Sequence, residues 1–258
     1  MKKLFAAAAV ATAMLSSSVV LAQSSKPTIV LVHGAFADSS SWNGVIRVLE
    51  KDGYPVVAAA NPLRSVKSDA QYVGDIVAGI KSPVVLVGHS YGGSVISEAA
   101  HGRTNVKALV YVAAFAPLAG ETAAGLSGKF PGSTLGPTLA PPVTLTGGGK
   151  DLYIQLDKFH DQFAADVPVL DANAMAAGQR PVTDAALNEP SSEPAWKTLP
   201  SWFVYGDKDK NIPPEALAFM AERAHSKQTV VVKGASHVVM VSNPARVAKV
   251  IESAATAP

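Results

Sequence analysis

Ser90 stands between two glycines in the stretch "VVLVGHSYGG", at the end of an apolar run. The run predicts a buried strand ending near Gly88 and a helix starting near Tyr91, which places Ser90 on the connecting turn. Such a sharp turn raises the serine oxygen above the sheet and requires small neighbours two residues before and after it. Gly88 and Gly92 meet that requirement, so Ser90 is the candidate nucleophile. The alternative is a glycine-rich turn without chemistry, which would need no partner residues elsewhere.

A serine nucleophile needs a base, and six histidines compete for that role. His237 follows the apolar run "TVVVKG", and active-site loops lie at the carboxyl ends of parallel strands. His89 adjoins Ser90, but we expect it to point to the opposite side of the turn. The others are expected to be solvated, to lie in the long segment between about residues 116 and 198 or, for His33, to be a buried residue that shapes its loop. His237 is therefore the predicted base.

The base needs a carboxylate that fixes its tautomer and stabilises its charge. The segment "YGDKDKNIPPE" follows the preceding predicted strand and offers Asp207 and Asp209. Asp209 is preferred, because it lies well into the loop before a proline-stiffened segment. Asp207 is instead placed to accept hydrogen bonds from local backbone amides.

Attack on a carbonyl puts negative charge on oxygen, which requires preorganised N–H donors. The N–H of Tyr91 lies at the start of the predicted helix, where the helix dipole supports an anion. The loop after the first strand, "LVHGAF", offers the N–H of Ala35 as the second donor. Ala35 and Tyr91 therefore form the predicted oxyanion hole.

These residues are positioned by short β-branched runs that alternate with segments of helical period. Continuous apolar strands of this kind are typical of a mostly parallel sheet with helices on both faces, so the fold class is α/β. We expect helices near Ser40, Lys67, Tyr91, Pro214 and Pro244.

The alternation stops between about residues 116 and 198, where a Gly/Pro-rich part is followed by amphipathic pieces. An insertion of that size between two strands predicts a lid over the site. Aromatic residues in and near it are candidates for an apolar substrate pocket, with Phe36, Phe115 and Phe159 as the predicted binding residues and Phe130 and Phe163 as further candidates.

The chain order Ser90, Asp209, His237 and the motifs "LVHGAF", "LVGHSYGG", "DKDKNIP" and "GASHVVM" resemble the α/β-hydrolase superfamily. The resemblance extends over nearly the whole mature chain. Within the superfamily, the chain most resembles the branch of plant-type methylesterases and hydroxynitrile lyases with their bacterial relatives. It implies a D-K-x-I-P-like acid loop at Asp209 and an oxyanion donor at Ala35. Hydroxynitrile lyases of this branch have a lysine directly after the histidine, whereas this chain has Val238.

The N-terminus predicts a secretory signal peptide, because Lys2 and Lys3 precede an Ala-rich apolar run that ends in "VLA" at Ala22. An uncleaved membrane anchor is the alternative. Residues 23–258 then form a single domain, which we expect in a bacterial periplasm or in the medium.

Two of the 22 basic residues lie in the predicted signal, so the mature chain carries 20 basic and 20 acidic residues. This balance indicates neither a nucleic acid nor a membrane surface as partner, and leaves the oligomeric state open. The chain has no cysteine, which excludes disulfides. It also has no H-E-x-x-H motif, and we expect no metal and no cofactor.

The predicted function is a serine carboxylesterase that acts on small to medium apolar or aromatic esters through an acyl-enzyme. Two alternatives use other chemistry: a lyase or cofactor-free perhydrolase with the same three residues, or a ligand-binding protein on a hydrolase scaffold.

Overall fold

The computed structural model describes residues 26–258, and the predicted signal peptide lies outside the described residues. The first part of the chain alternates strands with helices. A 3-10 turn at Ser39–Trp42 precedes the first helix, and its Asp38 cap accepts a hydrogen bond from Ser40 N. The elements in chain order are β1 (Thr28–Val32), α1 (Asn43–Lys51), β2 (Val56–Ala59), α2 (Val66–Gly79), β3 (Val84–His89), α3 (Gly92–Ala99) and β4 (Val106–Val112).

Residues 113–200, between β4 and the next long strand, include the predicted insertion of about residues 116–198, and we refer to this segment as the lid. It contains five short helices and a three-stranded antiparallel sheet, followed by a 3-10 turn at Ala195–Lys197. Its elements are α4 (Ala123–Ser127), α5 (Leu135–Thr138), β5 (Val143–Thr144), β6 (Lys150–Leu152), α6 (Leu156–Phe163), α7 (Val169–Ala177), β7 (Val182–Thr183) and α8 (Asp184–Asn188).

The last part of the chain returns to the alternating pattern. Proline at the first turn of two of its helices fits there, because the first turn has no internal acceptor for an N–H. The elements are β8 (Ser201–Gly206), α9 (Pro214–Arg223), β9 (Gln228–Val232), α10 (Val239–Ser242) and α11 (Pro244–Thr256).

The central sheet has six strands in the order β2-β1-β3-β4-β8-β9, and every pair is parallel. All residues of β1, β3 and β8 are buried, which explains their continuous apolar sequence. The outer strands β2 and β9 are partly exposed. The predicted α/β class is confirmed.

The strand order reverses between β1 and β3, because the chain winds first in one direction and then in the other. Ligands of parallel sheets bind at the carboxyl ends of the strands beside such a reversal. The loops after β1 and β3 carry Ala35 and Ser90, and the loops after β8 and β9 carry Asp209 and His237. All four residues therefore belong to one edge of the sheet.

Polar contacts hold the lid to the rest of the molecule. Arg64, just before α2, pairs with Asp151 of β6 at 2.6 Å and donates to Pro181 O at 2.7 Å. Arg223 of α9 donates to Glu121 Oε1 at 2.8 Å and to Ala116 O at 2.7 Å. The lid thus has anchors on both sides of the sheet reversal.

Candidate active site

Ser90 occupies the turn between β3 and α3 with a φ of 53°, the left-handed region that residues with a side chain rarely adopt. Backbone segments approach so closely here that the residues two before and two after Ser90 have no room for a side chain. A Cβ on Gly92 would lie 2.5 Å from Val32 O, and one on Gly88 would lie 2.5 Å from Gly92 O. The sharp turn predicted from the glycine spacing is present, and its backbone is strained at the serine.

His237 and Asp209 are joined by a 2.6 Å hydrogen bond from Nδ1 to Oδ2, and both side chains are almost completely buried. The second carboxylate oxygen, Oδ1, accepts from the N–H groups of Asn211 at 2.8 Å and Ile212 at 3.0 Å. Because a carboxylate accepts at Nδ1, the neutral imidazole carries its proton there and leaves Nε2 as the acceptor. The pair is therefore oriented for proton transfer at Nε2.

Asp207, the alternative acid, lies outside this pair. Its Oδ1 accepts from Gly234 N at 2.6 Å, so it links the loop after β8 to the loop after β9. Asp207 thus accepts from a backbone amide as predicted, but the donor lies on another loop, 27 residues away, and is not local.

Ser90 and His237 both line a cavity of about 330 Å³ beneath the lid. Within residues 26–258 no direct hydrogen bond joins the Ser90 hydroxyl to the His237 ring, and such bonds often tighten only when substrate binds. Among the lining residues His237 is the only histidine, and none is Asp, Glu, Lys or Arg. The lining consists of Ala35, Phe36, Ser90, Tyr91, Phe115, Ala123, Ala124, Ser127, Gly128, Ser133, Leu135, Gly136, Leu139, Phe163, Leu187, Asn211, Ile212 and His237.

The backbone N–H groups of Ala35 and Tyr91, the two predicted donors, lie at this cavity and have no hydrogen-bond acceptor in the described part of the chain. The N–H of Phe36, by contrast, donates to Arg180 O at 3.0 Å and is occupied. The geometry therefore leaves Ala35 and Tyr91 free to donate to an oxygen in the cavity.

The predicted aromatic pocket is partly wrong. Phe36 and Phe115 line the cavity, but Phe159 does not, because its side chain is fully buried behind Phe163. Phe163 takes its place, with its ring centroid 4.9 Å from that of Phe159 and 5.2 Å from that of His237. The two phenylalanines lie four residues apart on one face of α6, so periodicity alone does not separate them.

His89 adjoins Ser90 in the chain but does not line the cavity that contains Ser90 and His237. Its ring is fully buried with its centroid 4.8 Å from that of His237, and its Nε2 donates to His237 O at 3.1 Å. Burial holds the pKa of His89 well below its ordinary value, and nearby His237 adds to this effect. His89 is therefore a neutral group that supports the backbone of His237.

His33 is buried and hydrogen-bonded, as its position in the loop suggests. Its Nδ1 donates to Gly34 O at 3.0 Å, and its carbonyl accepts from Asn61 at 2.9 Å. Burial lowers the pKa of His33 to about 4. His33 therefore shapes the loop that carries Ala35 while remaining uncharged at neutral pH.

Sequence reasoning missed the buried carboxylate of Asp69 on α2. It accepts from the Tyr91 hydroxyl at 2.9 Å and from Arg64 N at 3.1 Å. Burial raises the pKa of Asp69, although these hydrogen bonds oppose the rise. This hydrogen bond fixes the side chain of Tyr91, the residue whose backbone N–H is the predicted oxyanion donor. No short motif marks Asp69, since the two residues are 22 positions apart.

A larger cavity of about 610 Å³ lies on the other side of Phe36, between α1 and α7, and contains none of the three candidate catalytic residues. We assign the site to the smaller cavity, because the serine and the histidine meet there. Across residues 26–258 we find no group of three histidine or acidic side chains arranged for a metal ion, and no helix of a length and apolarity that would span a membrane.

Comparison with known proteins places this geometry in a family. The model of the "Alpha/beta hydrolase family" matches residues 29–250. The chain is 29% identical over 252 residues to the alpha/beta hydrolase nvfD of Aspergillus novofumigatus, covering 89% of this chain and 97% of that protein. It is 25% identical over 253 residues to an alpha-hydroxynitrile lyase of Arabidopsis thaliana, covering 90% and 98%.

Among solved structures, polyneuridine aldehyde esterase is similar with a TM-score of 0.76 and 18% identity, covering 88% of this chain and 98% of that one. At this identity the likeness concerns the fold alone. The family match spans most of the chain, and the protein belongs to the α/β-hydrolase family.

Proposed function

We propose that this protein is a serine hydrolase of the periplasm or the medium that cleaves carboxylic esters of small to medium apolar or aromatic substrates. One arrangement carries the proposal. Ser90 lies at a strained turn in the same cavity as His237, and His237 is hydrogen-bonded at 2.6 Å to the buried Asp209. A strained serine, a histidine with Nε2 free and a buried carboxylate are the parts of a nucleophilic triad.

The reaction proceeds in two steps. His237 Nε2 takes the hydroxyl proton of Ser90 as the oxygen attacks the ester carbonyl, and the N–H groups of Ala35 and Tyr91 bind the resulting oxyanion. His237 then gives the proton to the leaving alcohol, and an acyl-enzyme remains. A water molecule, deprotonated by His237, releases the acid and restores Ser90. Asp209 holds the imidazole and stabilises its positive charge in both steps.

The cavity supports the proposed substrate class. Aside from His237, its lining contains no ionisable acidic or basic side chain of Asp, Glu, Lys, Arg or His, and most of its walls are apolar. A charged group entering such a space would lose its hydration without gaining a partner. Neutral acyl and alcohol groups with alkyl or aromatic character therefore fit best.

A lyase acting on cyanohydrins is the second candidate, because the Arabidopsis relative carries that name. The residue after His237 argues against cyanohydrin cleavage by this protein. Val238 is fully buried and supplies no cationic group, whereas the resembling lyases have lysine at this position. A ligand-binding protein on a hydrolase scaffold is a further alternative outcome of the test.

The test compares wild-type mature protein with Ser90→Ala on alkyl and aryl esters of increasing length, lactones, amides and cyanohydrins. We expect ester turnover by the wild type, loss of all but a small fraction in Ser90→Ala, and labelling of Ser90 by a serine-directed phosphonate. Labelling of another residue would assign the nucleophile elsewhere. Cyanohydrin cleavage without ester turnover would favour the lyase, and ligand binding without any turnover would favour the binding protein.

A further inference from the structure

The end of α6 contacts both loops that carry the proposed acid and base. We define the acid loop as residues 207–213 and the base loop as residues 233–238. Gln162 of α6 donates from Nε2 to Lys210 O at 3.0 Å and to Asn211 Oδ1 at 2.7 Å. Its Oε1 accepts from Thr134 at 2.8 Å, which fixes the orientation of the amide. The lid helix thus holds the acid loop directly beyond Asp209.

The base loop is held by Asp166, three residues after the end of α6. Asp166 Oδ1 accepts from Ser236 N at 3.0 Å and also from the Ser236 hydroxyl. Ser236 is buried and directly precedes His237 in the chain. Hydrogen bonds to a carboxylate are stronger than neutral ones, so this contact fixes the backbone from which His237 projects.

Other contacts also hold the base loop: Lys208 N donates to Ala235 O at 3.0 Å, and the Ser236 hydroxyl lies 3.4 Å from Phe163 O. His89 binds the His237 carbonyl, and Gly234 N donates to Asp207 at the start of the loop. Asp166 supplies the acceptor for the N–H of Ser236, the residue directly before His237. Neither Asp166 nor Ser236 lines the cavity, so neither touches a bound ester.

We propose that Asp166 is a positioning residue, which holds His237 in register with Ser90 through Ser236. The proposal rests on the proposed function for its kinetic consequences, but the contact itself concerns the orientation of His237. It assigns the lid a part in assembling the catalytic groups, in addition to covering the cavity. Removal of Asp166 should therefore impair turnover more than binding.

The experiment uses the full mature protein with Asp166→Ala, Asp166→Asn and Ser236→Ala. Asp157→Ala is the matched control, because Asp157 lies nearby in the chain, on α6, with an exposed side chain. Misplacement of a catalytic group by about 1 Å costs about 100-fold in rate, so we expect kcat of Asp166→Ala to fall about 10- to 100-fold with KM within about twofold. Asp166→Asn keeps an acceptor and should recover part of kcat, and Asp157→Ala should match the wild type.

A second readout follows His237 without turnover. The Nδ1 proton shared with Asp209 gives a low-field proton NMR signal, which His237→Gln identifies by its disappearance. We expect this signal to broaden or move in Asp166→Ala and Ser236→Ala, and to be unchanged in Asp157→Ala.

The two readouts separate the outcomes. A wild type that hydrolyses esters, with unchanged kcat in Asp166→Ala and Ser236→Ala, would overturn the positioning role and keep the proposed function. A wild type without ester turnover would refute the proposed function, and the NMR signal would then decide the positioning role. Lower thermal stability of the Asp166 variants with unchanged kcat and signal would show that the contact serves stability alone.

Discussion

Acid sensitivity is expected from His33, which is buried beside the loop that carries Ala35. Burial lowers the pKa of His33 to about 4, against 6.5 for the unperturbed side chain. Between these two values the unfolded chain binds a proton that the folded protein does not. The contribution of His33 to the free energy of unfolding should therefore be fully present above about pH 6.5 and be lost as the pH falls towards about 4.

The size of this loss follows from the two pKa values. Full titration of His33 corresponds to about 3 kcal/mol, and at pH 5 about 2 kcal/mol should already be lost. With a urea m-value of about 2 kcal/mol/M, the midpoint of unfolding should move by about 1 M between pH 8 and pH 5. His89, whose pKa is also lowered by burial, adds to the loss in the same direction.

The assay is urea unfolding at pH 8 and pH 5 for the wild type and His33→Asn. Carboxylates and His89 contribute equally to both proteins, so they cancel in the difference. We expect the variant to lose about 2 kcal/mol less than the wild type between the two pH values. His101→Asn serves as the control, because His101 is exposed. An equal loss in the wild type and in His33→Asn would refute the assignment of acid sensitivity to this burial.

Three further predictions concern the acid, the pocket and the processing of the chain. Asp209→Asn should lower kcat by about 10⁴-fold, as for other triad carboxylates, whereas Asp207→Asn should leave most of it; the reverse order in steady-state kinetics would exchange their roles. Phe163→Ala should change the ranking of esters by kcat/KM, because its ring lines the cavity, while Phe159→Ala should mainly lower Tm. A ranking that stays as in the wild type in both variants would show that both residues are structural. Mass spectrometry of protein from the periplasm or medium should give Gln23 as the first residue, and full-length protein in membranes would indicate an anchor.

The fold was accessible from the sequence because local patterns determine it. The strands at Thr28–Val32 and Val84–His89 read as unbroken apolar runs, since both faces of the sheet are covered. The turn at Ser90 was accessible for a related reason, because only small residues fit where the backbone segments touch. These constraints act on neighbouring residues and leave a recognisable spacing.

The details of the site were less accessible, because they depend on contacts between distant segments. Phe159 and Phe163 share one face of α6, and only the docking of the lid decides which ring reaches the cavity. The contact of Asp69 with Tyr91 spans 22 residues, and that of Asp166 with Ser236 spans 70. No local period encodes such pairs. The contact of His89 with the His237 carbonyl spans 148 residues and was missed for the same reason.

The two outer strands of the sheet present backbone groups that could pair with another chain. β9 carries Val231, which is 50% exposed, and such an edge is a template for aggregation. Lys227 and Lys233 flank β9 directly, and Pro55 precedes β2. Charges and prolines at strand ends disfavour edge-to-edge association of two copies. We therefore expect that exchanging these lysines for apolar residues would favour self-association, an effect that activity measurements on dilute protein do not detect.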